Sequence, residues 1–329
     1  MGFFIDATRI CLAKLEHFRE VDSNTMNSRY AMLIFALLLL PLVATAQQMA
    51  DPEFDVRVEH PAFKKSYPRL LFDEAHNNFH TATGRYKPFA DLIVNDGYHL
   101  VRGRKPFTKE GLDTFKILVI ANALGAEDMD DDAADSPAFK DEECDAVRDW
   151  VRDGGGALLL IADHAPFGGA AENLAKRFGV EMSKGFTFDT ENSLKDSTNP
   201  SLLVFSTENK LLLDHPISRG RNDAEKINRV FTFTGQSLKG PEGSAGFLKL
   251  SDTAKDRVTP DSKTDVSAAG RAQGIAFKFG KGRVVVLGEA GMLTAQLAGS
   301  EKRPMGMNVP GSDNRQLALN IMHWLSGLL

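Results

Sequence analysis

Cysteine is nearly missing from this chain: its 329 residues carry two, Cys11 and Cys144. Cys11 falls in a segment expected to be absent from the mature protein, which leaves Cys144 alone. Without an internal disulfide, stability must come from an ordinary core. Basic clusters are missing too. The net charge is −5 and no Lys/Arg stripe appears, which argues against nucleic acid as a partner. No Gly-x-Ser-x-Gly follows a strand, so a nucleophile elbow is excluded. No glycine-rich phosphate loop ends in Lys-Ser/Thr. The acidic run Glu127 to Asp135 lacks the glycine and terminal glutamate of an EF-hand loop and reads as a solvated loop. Repeats, low-complexity tracts and any linker demanding a second domain are absent. What is present, 43% hydrophobic and 25% charged residues, is the composition of a globular protein.

The most specific signal lies near the N-terminus. Ala31 to Ala46 (AMLIFALLLLPLVATA) is sixteen residues without a charge, preceded by Arg29 and ending in the small-x-small site Ala44-Thr45-Ala46. That is the layout of a secretory signal peptide. The run is short of the about 20 residues a membrane span needs, and Pro41 interrupts it. The expected organisation is residues 1–25 as an upstream extension with Met26 the true start, 26–46 as signal peptide, 47–66 as an extended lead-in, and 67–329 as one α/β domain. Cleavage after Ala46 removes four acidic and four basic residues, so the charge stays at −5. No cysteine follows the apolar run, so neither a lipid anchor nor a stable membrane anchor is expected. The destination is periplasmic or extracellular.

Past the lead-in the pattern alternates between strand and helix. Arg69 to Asp73, Tyr98 to Arg102, Lys116 to Ala121 (KILVIA) and Ala157 to Ala162 (ALLLIA) read as strands. Helices are expected over Tyr86 to Asn95, Asp141 to Arg152, from about Ala170 to Phe178, and over Asp313 to Leu328, with Cys144 structural inside the second. Continuous apolar strands separated by amphipathic helices imply a flavodoxin-like, doubly wound, mostly parallel sheet with helices on both faces. The C-terminal half is more β-rich, with strands at Arg229 to Thr234, Gly246 to Leu250, Gly274 to Phe279 and Arg283 to Leu287. Gly280-Lys281-Gly282 reads as a three-residue hairpin loop joining the last two.

Ligands of open α/β sheets sit outside the carboxyl ends of the strands. Three polar segments fall there: Asp73-Glu74-Ala75-His76-Asn77-Asn78-Phe79-His80, Asp163-His164-Ala165-Pro166-Phe167-Gly168-Gly169, and Gly288-Glu289-Ala290-Gly291. His164 is the candidate general base or acid, with Glu289 or Asp73 as its partner. Glu74, His76, Asn77, His80 and Asp163 are candidate ligand contacts. Gly168-Gly169 before a helix offers backbone N–H groups to an anion or oxyanion, or is simply a tight turn. His76 and His80 are spaced i, i+4 and, with His164, could hold a divalent metal. The zinc-protease signature has glutamate after its first histidine, where this chain has Asn77.

At these residues the chain resembles an uncharacterised family of exported bacterial proteins in the class I glutamine-amidotransferase-like superfamily. Relatives there include the gliding-motility ABC-transporter-associated domain and an intraflagellar-transport domain. The likeness is carried by LLFDEAHNNFHTATGRYKPFADLI, GGGALLLIADHAPFGGAAENLAKRFG, HPISRGR with VFTFTGQSL, and VVVLGEAGMLTAQ with PGSDNRQLALNIMHWL. It implies a flavodoxin-like three-layer fold. It does not imply glutaminase activity, since the turn matching the nucleophile position, Ala162-Asp163-His164-Ala165, has neither Cys nor Ser.

Three functions remain open at this point. One is an extracytoplasmic small-molecule site, hydrolytic on a polar or carbohydrate-like substrate if it is an enzyme. Another is a non-catalytic ligand-binding or scaffold domain. The third is a metal-dependent hydrolase using His76, His80 and His164.

Overall fold

The computed structural model describes residues 48–195, 197–259 and 262–329. The expected signal peptide and upstream extension lie outside these residues. Among the described residues no helix is long and apolar enough to cross a membrane.

The centre is a nine-stranded mixed sheet built from β1 (Arg69–Asp73), β2 (His99–Gly103), β3 (Ile117–Ala121), β4 (Ala157–Ile161), β5 (Glu181–Met182), β6 (Leu238–Lys239), β7 (Ala245–Lys249), β8 (Ala272–Phe279) and β9 (Gly282–Leu287). Its order is β2-β1-β3-β4-β9-β8-β6-β5, with β7 also paired to β8. From β2 to β9 every pairing is parallel. From β9 onward every pairing is antiparallel. The parallel half has the flavodoxin-like strand order 2-1-3-4, which reverses direction between β1 and β3 and opens a crevice there.

Four helices cover the sheet: α1 (Lys87–Asn95), α2 (Asp141–Arg152), α3 (Phe167–Lys176) and α4 (Asn314–Ser326). Alternate strand residues point to opposite faces. Ile117, Val119 and Leu159 pack in one core with Phe89 of α1 and Ile321 of α4. Leu118, Ile120 and Leu158 pack in the other with Val147 of α2 and Leu174 of α3. The three-layer architecture expected from the apolar runs is therefore the one observed.

Several boundaries differ from expectation. α3 starts at Phe167, so Gly168 and Gly169 lie inside its first turn and not in a loop before it. Phe279 pairs directly with Gly282, leaving a two-residue hairpin loop in which Gly280 has φ +57°. The lead-in is only partly extended coil, since Met49–Ala50 pairs with Ala295–Ala298. Short strands such as Phe186–Phe188 and Lys255–Arg257 form a separate small sheet that the apolar pattern does not announce.

Candidate functional site

Asp73 closes β1, and its side chain is fully buried. The carboxylate accepts from the Ala75 amide at 3.2 Å and from Asn78 Nδ2 at 2.9 Å. His76 Nδ1 stands 2.9 Å from both carboxylate oxygens, and His76 Nε2 stands 2.9 Å from Glu143 Oε1 on α2. Burial alone would push the His76 pKa down, but the two carboxylates outweigh it and hold it above the usual histidine value. The Phe107 and Phe139 rings pack against the imidazole at 4.7 Å. Glu143 also accepts from the amides of Phe107 and Lys140. Burial would raise the Glu143 carboxyl, yet His76 and these amides bring it below the normal range. His76 therefore ties the β1 loop to α2. Both its nitrogens are committed, which leaves neither for the ligand or metal contact expected from the sequence.

The neighbours of His76 divide. Glu74 accepts two bonds from Arg102 Nε, at 2.8 and 2.7 Å, and one from the Ala82 amide. Asn77 is exposed at φ 48°. His80 is enclosed between the Phe79 ring at 5.1 Å and the Tyr86 ring at 4.8 Å. Burial, helped by Arg85, drives its pKa to about 3, so the ring is neutral. His80 Nδ1 has no hydrogen-bond partner.

Asn122 follows β3 at φ 51° and was not singled out from the sequence. Its backbone joins β4 and the β1 loop, donating to Ile161 O and accepting from the Phe79 amide, both at 2.9 Å. Its Oδ1 accepts from the Asp163 amide at 3.0 Å, while its buried Nδ2 is unpartnered. The rule that drew attention to the residues after β1 and β4 also points to this position, one residue past KILVIA.

At the ends of β4 and β9, Asp163 and Glu289 form a buried acidic pair. Burial raises the Asp163 carboxyl to about 6, with His164 pulling the other way. Glu289 is completely buried and raised well above the usual range, first by burial and then by Asp163. Its two oxygens accept from the amides of Gly291 and Met292. Two carboxylates in one dry space cannot both ionise cheaply, so Glu289 keeps the proton. Tyr86 Oη donates to Ala290 O at 2.8 Å, and burial together with this pair pushes the phenol upward.

His164 is half-buried, its ring stacked on Phe186 at 4.5 Å. Its Nδ1 lies 2.7 Å from Ala165 O. A carbonyl only accepts, so Nδ1 carries the hydrogen and, in the uncharged ring, Nε2 keeps its lone pair. The segment from Phe231 to Ser237 covers this end of the sheet. Within it, the Gln236 amide donates to Gly288 O at 2.7 Å, and Gln236 Nε2 donates to Ala162 O and Asp163 O at 2.9 Å each. Gly168 is glycine for this contact, because a Cβ there would lie 2.5 Å from Gln236 Nε2. The Gly169 N–H donates back to Pro166 O at 3.0 Å, so it is not free for an anion. Along Phe231 to Thr234 a cleft of about 620 Å³ opens, lined also by Leu203 and Met305.

The structure thus gathers Asp163, Glu289, His164, His80 and Asn122 about the ends of β1, β3, β4 and β9. It sets Asp73, Glu74 and His76 aside in internal bonds. Among the described residues no three His, Cys, Asp or Glu side chains come together as metal donors. Cys144 is buried in α2, its thiol pushed up to about 12. Glu143 and Gln236 were not legible in the sequence, since each reaches the strand ends from a distant segment.

No protein-family model and no curated protein matches the chain. Solved structures do. The mmIFT52 N-terminal domain is 14% identical over 78% of this chain and 97% of its own, with a TM-score of 0.55. A ThuA-like protein from Bacteroides uniformis is 13% identical over 84% and 95%, with a TM-score of 0.40. A GMP synthase-like protein from Thermoplasma acidophilum is 10% identical over 80% and 96%, also at 0.40. At 14% identity the likeness to the mmIFT52 domain is one of fold alone.

Proposed function

We propose that this chain is an exported domain that binds a small polar molecule at the crevice where the order of its parallel strands reverses. One observation carries the reading. Two buried polar atoms have no partner, Asn122 Nδ2 directly after β3 and His80 Nδ1 in the loop after β1, the two strands between which the order reverses. Buried polar groups are nearly always satisfied, so a pair of orphans at the customary ligand position is accounted for by a ligand that pairs them. His80 is held neutral and offers either tautomer, while Asn122 offers a donor. Hydroxyl groups answer both, which favours a carbohydrate-like compound.

A second reading, hydrolysis of that ligand, rests on His164. Its uncommitted Nε2 suits a general base, and the Asp163–Glu289 pair beneath it keeps a proton near neutral pH. Support for export comes from the charge-free run before Ala46, and intact-mass measurement of secreted protein tests cleavage there. The quoted sequence segments support a place among exported relatives of the glutamine-amidotransferase-like superfamily, including the gliding-motility domains.

Thermal denaturation of the full chain against a panel of sugars and sugar acids tests the binding. A ligand that occupies the site raises Tm in a concentration-dependent way. Asn122→Ala and His164→Ala lose that response while remaining folded. If these variants respond as the parent does, the crevice is not the binding site. Appearance of reducing ends, abolished by His164→Gln, separates turnover from binding alone.

A further inference from the structure

A cleft of about 980 Å³ lies at the other end of the sheet. One wall is the lead-in, residues 55–61, and the other is α4 with the Arg221 to Glu225 loop. Asp96, between α1 and β2, marks the amino end of the parallel strands and is fully buried. Its Oδ1 accepts from the Ala62 amide at 2.8 Å and its Oδ2 faces His323 Nε2 at 2.7 Å. His323 is 1% exposed, and its Nδ1 has no hydrogen-bond partner, with Glu225 Oε2 3.9 Å away. Because Nε2 meets a carboxylate, it carries a hydrogen, and Nδ1 is the ring atom left over in the cleft wall.

Three guanidinium groups share the cleft, each only partly used. Arg57 pairs with Asp55 through Nε and Nη2, and Arg221 pairs with Glu225 through the same two nitrogens. Arg315 spends Nε and Nη2 on the carbonyls of Asp55 and Arg57. The Nη1 of each donates no hydrogen bond among the described residues. Asp55 and Glu225 cancel two of these cations. That leaves Arg315 as the guanidinium with no hydrogen bond to a carboxylate, and Glu59, exposed and within the field of Arg57, as the carboxylate outside any close ion pair among the described residues. With Asp96 turned to His323, the wall carries carboxylates as well as guanidinium groups and does not select a simple anion. It suits a ligand that carries both signs.

We propose that this cleft binds a short zwitterionic peptide, its carboxylate on the free guanidinium nitrogens of Arg221 and Arg315, its ammonium on Glu59, and a polar group on His323 Nδ1. The volume lies at the upper end of the range for small-molecule sites, large enough for more than a single amino acid. Bidentate capture of a carboxylate is what paired guanidinium nitrogens do best. This site is separate from the carboxyl-end crevice, and its ligand is of another class.

Isothermal titration of the full chain with trialanine, its N-acetyl form and its C-terminal amide tests the proposal. Trialanine binds saturably, and capping either end weakens binding tenfold or more. Glu59→Gln touches no hydrogen bond of the fold; it weakens trialanine and leaves the residual binding of the N-acetyl form, which has no ammonium, unchanged. Arg315→Ala weakens trialanine further, and Arg315→Lys restores part. His164→Ala, at the opposite end, leaves peptide binding unchanged. Absence of binding at millimolar trialanine, equal binding of the capped forms, or loss of binding in His164→Ala overturns the proposal. Only the last result would move the peptide to the carboxyl-end crevice, so the two sites fail distinguishably.

Discussion

The two ends of the parallel sheet hold the same pair of side chains, a buried aspartate facing a histidine, and use it differently. At the carboxyl end His76 gives one nitrogen to Asp73 and the other to Glu143. At the amino end His323 gives one nitrogen to Asp96 and keeps the other unpartnered beside a large cleft. The first arrangement closes a loop onto a helix. The second leaves a polar atom for something else to meet. A histidine at a strand end thus says little about binding until both ring nitrogens are accounted for.

The largest test of the contrast is stability. His76→Ala strands two buried carboxylates at once and is expected to cost about 3–5 kcal/mol in urea denaturation. The loss should shrink as pH rises. A histidine whose folded pKa is raised contributes fully below its unfolded value of 6.5 and loses that contribution as pH climbs through the folded value. The gap between parent and His76→Gln therefore narrows above pH 6.5, and a gap independent of pH would refute the double ion pair. His323→Ala is expected to cost less, about 1–3 kcal/mol, because only one buried carboxylate, Asp96, loses a partner instead of two. Equal losses would erase the difference between the two ends. The smallest effect belongs to Arg102→Ala. The guanidinium is partly exposed, and Glu74, though buried, keeps the Ala82 amide and has Arg104 3.7 Å away, so the loss stays at about 1 kcal/mol by the same measurement.

Legibility in the sequence followed physical type. KILVIA and ALLLIA are buried on both sides, and such runs announce themselves as parallel strands. The antiparallel half was legible in part: Gly246 to Leu250, Gly274 to Phe279 and Arg283 to Leu287 read as strands, but Glu181–Met182 and Leu238–Lys239 did not, because they are two-residue strands with one charged residue each. The polar set after β1 could be found but not sorted. Whether Asp73 and His76 face inward depends on Glu143, 67 residues further on from His76, which a local pattern cannot see. Asn122 lay within reach of the strand-end rule. Its αL backbone, which asparagine tolerates better than most residues, was the remaining clue.

The Gln236 side chain has a bearing on protein engineering. Its amide closes over the bend after β4, and Gly168 leaves no slack beneath it. Installing a cysteine at that bend would put sulfur under a lid fastened at both ends, to the bend itself and to the Lys184 amide. Anyone converting this scaffold into an amidase would have to shorten the glutamine before placing the nucleophile.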